Sequence, residues 1–403
     1  MAPGGGAGPG GLRLDPRQAG PVYRQIYERV RASILEGQLP PGTRLPSWAG
    51  LAGELGVSRG TVKAAYDWLA GEGYVVGRGP AGTVVNPELR APRPRAGADP
   101  AGTDGGGGSG PEVDPPGMLW DAPIRPFQPG LPALDAFPRK PWSRLVARHA
   151  ARLAPSEMGY PDPAGEPALR AAVAGYLRVA RGVACSPEQV FVTAGFAGAL
   201  DLITRALLRP GDRVWLEDPG FPRTRQALAL AGAEVVPVPV DAEGLDVDQG
   251  VARAAGARFA VVTPSHQAPL GMKLSLARRL ALLRWAAEAG AWVVEDDYYG
   301  EFRFAGPPLP ALKGLDAAGR VVYAGTFSKV LLPALRLGYA VVPARTAARF
   351  ARVASHLTPS QAPPVQKAVA AFMADGHLGR HIRRMRGLYA ERRRALVEAL
   401  REA

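Results

Sequence analysis

The chain has a single cysteine, Cys185, in 403 residues. One thiol excludes an internal disulfide framework and fits a reducing compartment. Lysine is almost as scarce. Only positions 63, 140, 273, 313, 329 and 367 carry it, and the rest of the 49 basic residues are Arg. Arg stays protonated and cannot serve as an amine nucleophile, so in this chain a Lys stands out as possible chemistry. No uncharged apolar run is long enough to cross a bilayer. The opening residues Met1-Ala2-Pro3-Gly4-Gly5-Gly6 hold neither a basic nor an apolar segment, which excludes a secretion signal there. These absences predict a cytoplasmic protein with no membrane partner.

What is present is length and positive charge. At 403 residues the chain exceeds the roughly 250–300 residues that one core supports, so more than one domain is expected. The formal charge of +13 points to a polyanionic partner, or to arginine spread over solvated surface. Residues 1–19 are Gly- and Pro-rich and read as a disordered tail. A patterned block follows over 20–87. Residues 88–125, with Gly105-Gly106-Gly107-Gly108-Ser109-Gly110, cannot bury enough apolar surface to offset their ordering entropy and read as a flexible linker. From 126 to 403, short Val-rich strands alternate with Ala/Leu-rich helices.

The block at 20–87 predicts three helices and a hairpin. Val22, Ile26, Val30 and Ile34 give 21–36 one apolar face, and Gly37 ends it. Ser47 can cap a second helix that stops at Gly56, with Leu51, Ala52 and Leu55 inward. Ser58 can cap a third from Arg59 to Ala70 after a tight turn. Strands at 74–76 and 83–85 flank a Gly-rich tip and complete a winged helix-turn-helix. Such a fold sets the start of its recognition helix in the major groove of duplex DNA. The candidate DNA contacts are Arg44, Ser47, Ser58, Arg59, Thr61 and Lys63, with Arg78 on the wing.

In the second block, strands are expected at 190–193, 214–217, 234–238, 259–263, 292–295, 321–324 and 337–342. Helices are expected at 167–180, 197–208, 223–231 and 275–289. This alternation predicts a wound, mostly parallel α/β sheet, with ligands at the carboxyl ends of its strands. Polar clusters fall at those ends. Gly195-Phe196-Ala197 opens a helix, where backbone N–H groups and the helix dipole suit a phosphate. Glu295-Asp296-Asp297-Tyr298 ends another strand. Its acids suit a metal or a cationic ring, and with no His or Cys beside them no metal site is expected. Thr326, Ser328 and Arg336 surround Lys329 as a second phosphate cup. A lysine for a Schiff base, an acid for a pyridinium nitrogen, a phenol for a ring hydroxyl and a phosphate cup are what pyridoxal 5'-phosphate requires. His377 and His381 are spaced i, i+4 but have no third ligand in view, so a solvated helix is expected. Leu378, Ile382, Met385 and Tyr389 alternate with the arginines of 380–394, which predicts a long helix with an exposed basic face.

Two sets of motifs resemble known families. Leu45-Pro46-Ser47, Leu55-Gly56-Val57-Ser58-Arg59-Gly60-Thr61-Val62 and Gly71-Glu72-Gly73-Tyr74 resemble GntR-type winged-helix regulators; Ala49 stands where that pattern usually has arginine. Phe137-Pro138-Arg139-Lys140-Pro141-Trp142, Gly159-Tyr160-Pro161-Asp162-Pro163-Ala164-Gly165 and Glu217-Asp218-Pro219-Gly220-Phe221-Pro222 belong to the second set. So do Thr263-Pro264-Ser265-His266-Gln267, Glu295-Asp296-Asp297-Tyr298 and Thr326-Phe327-Ser328-Lys329. Together these resemble the MocR-type subfamily, whose sensor domain has the fold of type I pyridoxal-phosphate aminotransferases.

The resemblance implies that Lys329 forms the Schiff base, Asp296 pairs with the pyridine nitrogen in preference to Asp297, and Tyr298 bonds the ring hydroxyl. It further implies that Phe221 stacks on the ring and that Arg223 faces an amine or amino-acid effector. Thr326, Ser328, Arg336 and the amides of Gly195, Phe196 and Ala197 would hold the phosphate. A homodimer on a two-fold operator follows from the family. Family members usually continue past the position of Ala403 into the rest of a small domain, so the aminotransferase-like part is expected to be C-terminally incomplete. Two other readings compete with a regulator: a working aminotransferase with a DNA-binding appendage, and a cofactor-free regulator.

Overall fold

The computed structural model describes residues 21–79, 82–87, 89, 128, 130–302, 310–357 and 362–402. The tail at 1–19 lies outside the described residues, as does the linker at 88–125 apart from Leu89. The chain divides into two units, Met1–Gly107 and Gly108–Ala403.

The first unit holds α1 (Val22–Leu35), α2 (Trp48–Leu55), α3 (Arg59–Gly71), β1 (Val75–Gly77) and β2 (Thr83–Val85), the two strands pairing antiparallel. Ile26, Val30 and Ile34 recur every four residues, so they share one helical face. They pack on Leu51 of α2 and on Val62, Ala65, Tyr66 and Leu69 of α3. Val22, expected on that stripe, is 39% exposed, because it sits in the first turn. Both predicted caps form. Ser47 Oγ accepts from the Gly50 amide and Ser58 Oγ from the Thr61 amide, each at 3.1 Å. Gly56 closes α2 with φ 66°, a left-handed conformation that disfavours a side chain.

The second unit opens with α4 (Arg139–Ala151), α5 (Pro167–Ala180), β3 (Val190–Thr193) and α6 (Gly195–Leu207). Next come β4 (Arg213–Asp218), α7 (Pro222–Leu230), β5 (Glu234–Asp241), β6 (Gly244–Leu245), α8 (Val247–Ala254) and β7 (Phe259–Val262). Then follow α9 (Leu276–Glu288), β8 (Trp292–Asp297), α10 (Leu312–Leu315), β9 (Val321–Thr326) and β10 (Gly338–Val341). The unit ends with α11 (Ala347–Ala354), α12 (Pro363–Ala374) and α13 (His377–Glu402).

Its eight strands form one sheet in the order β3-β10-β9-β8-β7-β4-β5-β6. β9, β8, β7, β4 and β5 run parallel, whereas β10 is antiparallel to both β9 and β3. Every residue of β3, β7 and β10 is buried, as expected for strands covered on both faces by helices. On one side Trp215 of β4 stacks on Trp285 of α9 at 3.8 Å. Gly250 of α8 lets that helix approach, since a Cβ there would lie 2.8 Å from the Trp215 ring.

Three sequence expectations change. α6 starts at Gly195, two residues early. β5 runs on to Asp241 and turns back through β6, which the apolar pattern does not mark. His381 is buried against Phe137 with ring centroids 6.3 Å apart, not solvated. It shares the inward face of α13 with Leu378, Ile382 and Met385.

Candidate functional site

The site is built where β8, β9 and β4 end. Side chains alternate along a strand, so Glu295 and Asp297 leave one face of β8 and Asp296 the other. Glu295 accepts from the amides of Leu312 and Lys313 at 2.7 and 2.8 Å. Asp297 pairs with Arg181 at 2.6 Å and accepts from the Tyr323 hydroxyl at 2.7 Å. Glu295 is thereby bonded through both oxygens, whereas Asp297 takes all its partners on Oδ2 and its buried Oδ1 has none among the described residues. Asp296 is buried, and among the described residues its carboxylate receives no hydrogen bond. Burial pushes its pKa well above the ordinary carboxylate range, reinforced by Asp297 and Glu217 and opposed only by Lys329. A buried carboxyl with an opposing amine and no hydrogen-bond donor fits a cationic ring nitrogen.

Lys329 follows β9, whose register sets Ala324 beside Asp296. Its Nζ donates to the Gly130 carbonyl and lies 5.9 Å from the centre of the Tyr299 ring. Burial lowers its pKa, and Asp296 pulls the other way. A lowered pKa makes the neutral, nucleophilic amine more available. Tyr298, two residues after Asp296, is raised above the usual phenol range by burial and then by Asp296, so it stays protonated.

Gly338 of β10 ties together the two segments expected to form a phosphate cup. It pairs with Thr326 on one side and Thr193 on the other. A Cβ at Gly338 would fall 2.9 Å from the Gly195 Cα. Thr326 Oγ1 accepts from the Ser328 amide at 3.1 Å. Gly195 takes φ 71° at the start of α6. Phe196 turns its ring into the core, so its backbone is what remains for a ligand, and Ala197 is exposed beside it. Arg336 is exposed and has φ 47°, the one positive φ outside glycine among the described residues. A left-handed Arg costs about 1–2 kcal/mol, and such strain concentrates at functional positions. Phe221, 40% exposed, precedes α7, and Arg223 sits half-buried in that helix's first turn.

Three residues were missed by sequence reasoning. Glu217, buried at the end of β4, accepts from the Thr263 amide and hydroxyl at 3.0 and 2.5 Å and so pins the loop after β7. Gly130 and Arg181 sit far from the motifs in sequence, and no local pattern marks them.

In the first unit Arg44, Ser47, Ser58, Arg59, Lys63 and Arg78 are all exposed, and Thr61 is half-buried. Not all are free to reach out. Lys63 pairs with Asp67 at 2.7 Å and lies 5.5 Å from the centre of the Trp48 ring. The hydroxyls of Ser58 and Thr61 bond each other at 2.8 Å while Ser58 caps α3.

A winged helix joined to a pyridoxal-phosphate aminotransferase fold defines a class: a transcriptional regulator built around an enzyme's scaffold. Comparison with known proteins supports both halves. Residues 22–85 match the family "Bacterial regulatory proteins, gntR family", and residues 135–403 match "Aminotransferase class I and II". The chain is 42% identical to the probable rhizopine catabolism regulatory protein MocR of Rhizobium meliloti, over 97% of this chain and 79% of that one. It is 35% identical to the pyridoxine biosynthesis transcriptional regulator PdxR of Corynebacterium glutamicum, over 96% and 81%.

Among solved structures, Pyrococcus horikoshii kynurenine aminotransferase, crystallised with PMP, aligns with TM-score 0.63 at 30% identity, covering 68% of this chain and 69% of that one. LysN, the α-aminoadipate aminotransferase of Thermus thermophilus, holds a phosphopyridoxyl-leucine and aligns at 0.62 and 32%, covering 68% and 70%. The chain belongs to the MocR-type regulators of the GntR family. Its second domain is of the pyridoxal-phosphate aminotransferase type. No helix among the described residues is long and apolar enough to cross a membrane.

Proposed function

We propose that this regulator senses an amine or amino acid through pyridoxal phosphate attached to Lys329, and that sensing changes how a cytoplasmic homodimer binds a two-fold DNA operator. The cofactor supplies an aldehyde that condenses with amines. Lys329 supplies the resident amine, whose pKa burial lowers. Asp296 offers its carboxyl to the ring nitrogen, and Tyr298 donates its phenol proton to the ring hydroxyl. Thr326, Ser328, Arg336 and the amides of Gly195, Phe196 and Ala197 hold the phosphate at the start of α6. Phe221 covers the ring and Arg223 faces the effector. In the first unit Arg59 reads bases and Arg44 and Arg78 hold phosphates, Thr61 and Lys63 join them by exchanging their bonds to Ser58 and Asp67 for DNA, and Ser47 and Ser58 stand at the two helix starts.

The buried, unbonded carboxyl of Asp296 opposite Lys329 carries this reading. A structural acid at that depth would be bonded, as Glu295 is through both of its oxygens. An effector can act only through different affinity for two arrangements of the protein. The test is operator binding by the cofactor-loaded full chain, followed by fluorescence anisotropy as candidate amines are added. An amine that shifts DNA affinity, and fails to do so in Lys329→Ala, supports the proposal. Sustained amino-group transfer with unchanged DNA binding would instead make the protein an aminotransferase with a DNA-binding appendage.

A further inference from the structure

Behind Asp296, on the opposite face of β8, lies a buried polar cluster that the proposed site does not use. Arg181, one residue past α5, is its centre. Its Nε and Nη2 donate to Asp297 Oδ2 at 2.7 and 2.6 Å. Nη1 donates to the Gly300 carbonyl at 3.1 Å, and Nη2 to Ser265 Oγ at 3.0 Å. The side chains of Arg181 and Asp297 are 5% and 1% exposed. At Gly300 a Cβ would lie 2.4 Å from Asp297 Oδ1 and 2.6 Å from Arg181 Cζ, so the clamp requires glycine there.

One guanidinium therefore joins the end of α5, the 263–268 loop, the end of β8 and the turn carrying Tyr298 and Tyr299. Its charge matters as much as its reach. Glu295, Asp297 and Glu301 are all buried on this side, against Arg181 and Arg279. Tyr323 closes the cluster through its bond to Asp297. Arg279 is committed to the carbonyls of Leu274, Pro310 and Pro264, which leaves Arg181 as the direct partner of Asp297. Asp297 is adjacent in the chain to Asp296, and its negative charge acts on it.

We infer that Arg181 is a positioning residue for the cofactor: by neutralising Asp297 and clamping the turn after β8, it sets the charge and aim of Asp296. The inference rests on the proposed placement of Asp296 at the ring nitrogen. It predicts a signature that packing alone does not produce. Relative to wild type, Arg181→Met makes the side behind Asp296 one charge more negative, whereas Asp297→Asn makes it one charge more positive. The two variants should move the cofactor's protonation in opposite directions.

The experiment uses the full chain of four proteins: wild type, R181M, D297N and D296A. Thermal melting first establishes that each is folded. Pyridoxal phosphate is then titrated in at fixed pH, and affinity and the ratio of the two visible absorption bands are read together. R181M should raise Kd about tenfold or more, the scale of one lost charge-assisted contact. Its band ratio should shift toward the protonated cofactor, and that of D297N toward the unprotonated one. A folded R181M with wild-type affinity and band ratio, beside a D296A that loses the cofactor, would overturn the inference and leave the site reading intact. Shifts of the same sign in R181M and D297N would also overturn it, reducing Arg181 to packing. If D296A itself binds like wild type, the site reading fails first. Should R181M not fold, the direction of the D297N shift decides.

Discussion

The two units place their charges in opposite ways. In the winged helix the candidate contacts Arg44, Arg59, Lys63 and Arg78 are all exposed, and Ile26, Val30, Leu51, Val62 and Leu69 form an apolar core with no buried charge among the described residues. In the aminotransferase unit the titratable groups lie inside: Glu217, Glu295, Asp296, Asp297, Glu301, Arg181 and Arg279 are all buried. The contrast follows from the ligands. DNA brings its phosphates to a surface, where cations act by displacing counterions and need no desolvation. A cofactor ring is gripped by a few groups removed from water, where each interaction is stronger and each unpaired group is costly. One unit is therefore predicted to tolerate change at its functional face, and the other is not.

The comparison can be broken most sharply at Lys329. Lys329→Ala should abolish the borohydride-trapped cofactor adduct while the protein stays folded by circular dichroism; a persisting adduct would move the attachment to another lysine. Next in size, Asp296→Ala should weaken pyridoxal phosphate by about 10–100-fold, the scale of a hydrogen bond to a charged group. Absorbance titration measures it.

Arg59→Ala should cost about 1–3 kcal/mol on operator DNA and less on non-specific DNA. Equal losses in parallel anisotropy titrations would make Arg59 a phosphate contact. Ser58→Ala removes a cap from α3 and should cost the first unit about 1 kcal/mol in urea unfolding.

The smallest effect is a slope. Glu301 is raised from 4.5 to about 7, mainly by burial and then by Asp297. The folded protein thus holds a proton there that the unfolded chain releases. Its contribution is most favourable below about pH 4.5 and is lost as pH rises toward 7. Glu301→Gln should flatten the decline of Tm across that window, and an unchanged slope would show that other groups set it.

Local pattern made much of this legible. Capping serines, terminal glycines and apolar residues four apart marked the three helices of the first unit within a residue or two. Val-rich runs marked the strands of the second. Other starts were less legible: α4 and α11 have no side-chain cap, and α6 begins earlier than its apolar pattern suggests, although Asp246 caps α8 and Pro363 opens α12. His381 looked solvated because an i, i+4 pair says nothing about which side of a helix meets a core. Arg181 was invisible for another reason. Its partners Ser265, Asp297 and Gly300 lie 84, 116 and 119 residues away.

The sequence by itself determined the domain types and most of the strands and proposed the residues of the site, because these depend on side-chain identity and spacing along a few turns. Tertiary structure alone decided which acid is free. Asp296 and Asp297 are chemically identical neighbours. Strand alternation sends one toward Lys329 and the other toward Arg181, and only the packing of distant segments supplies that Arg.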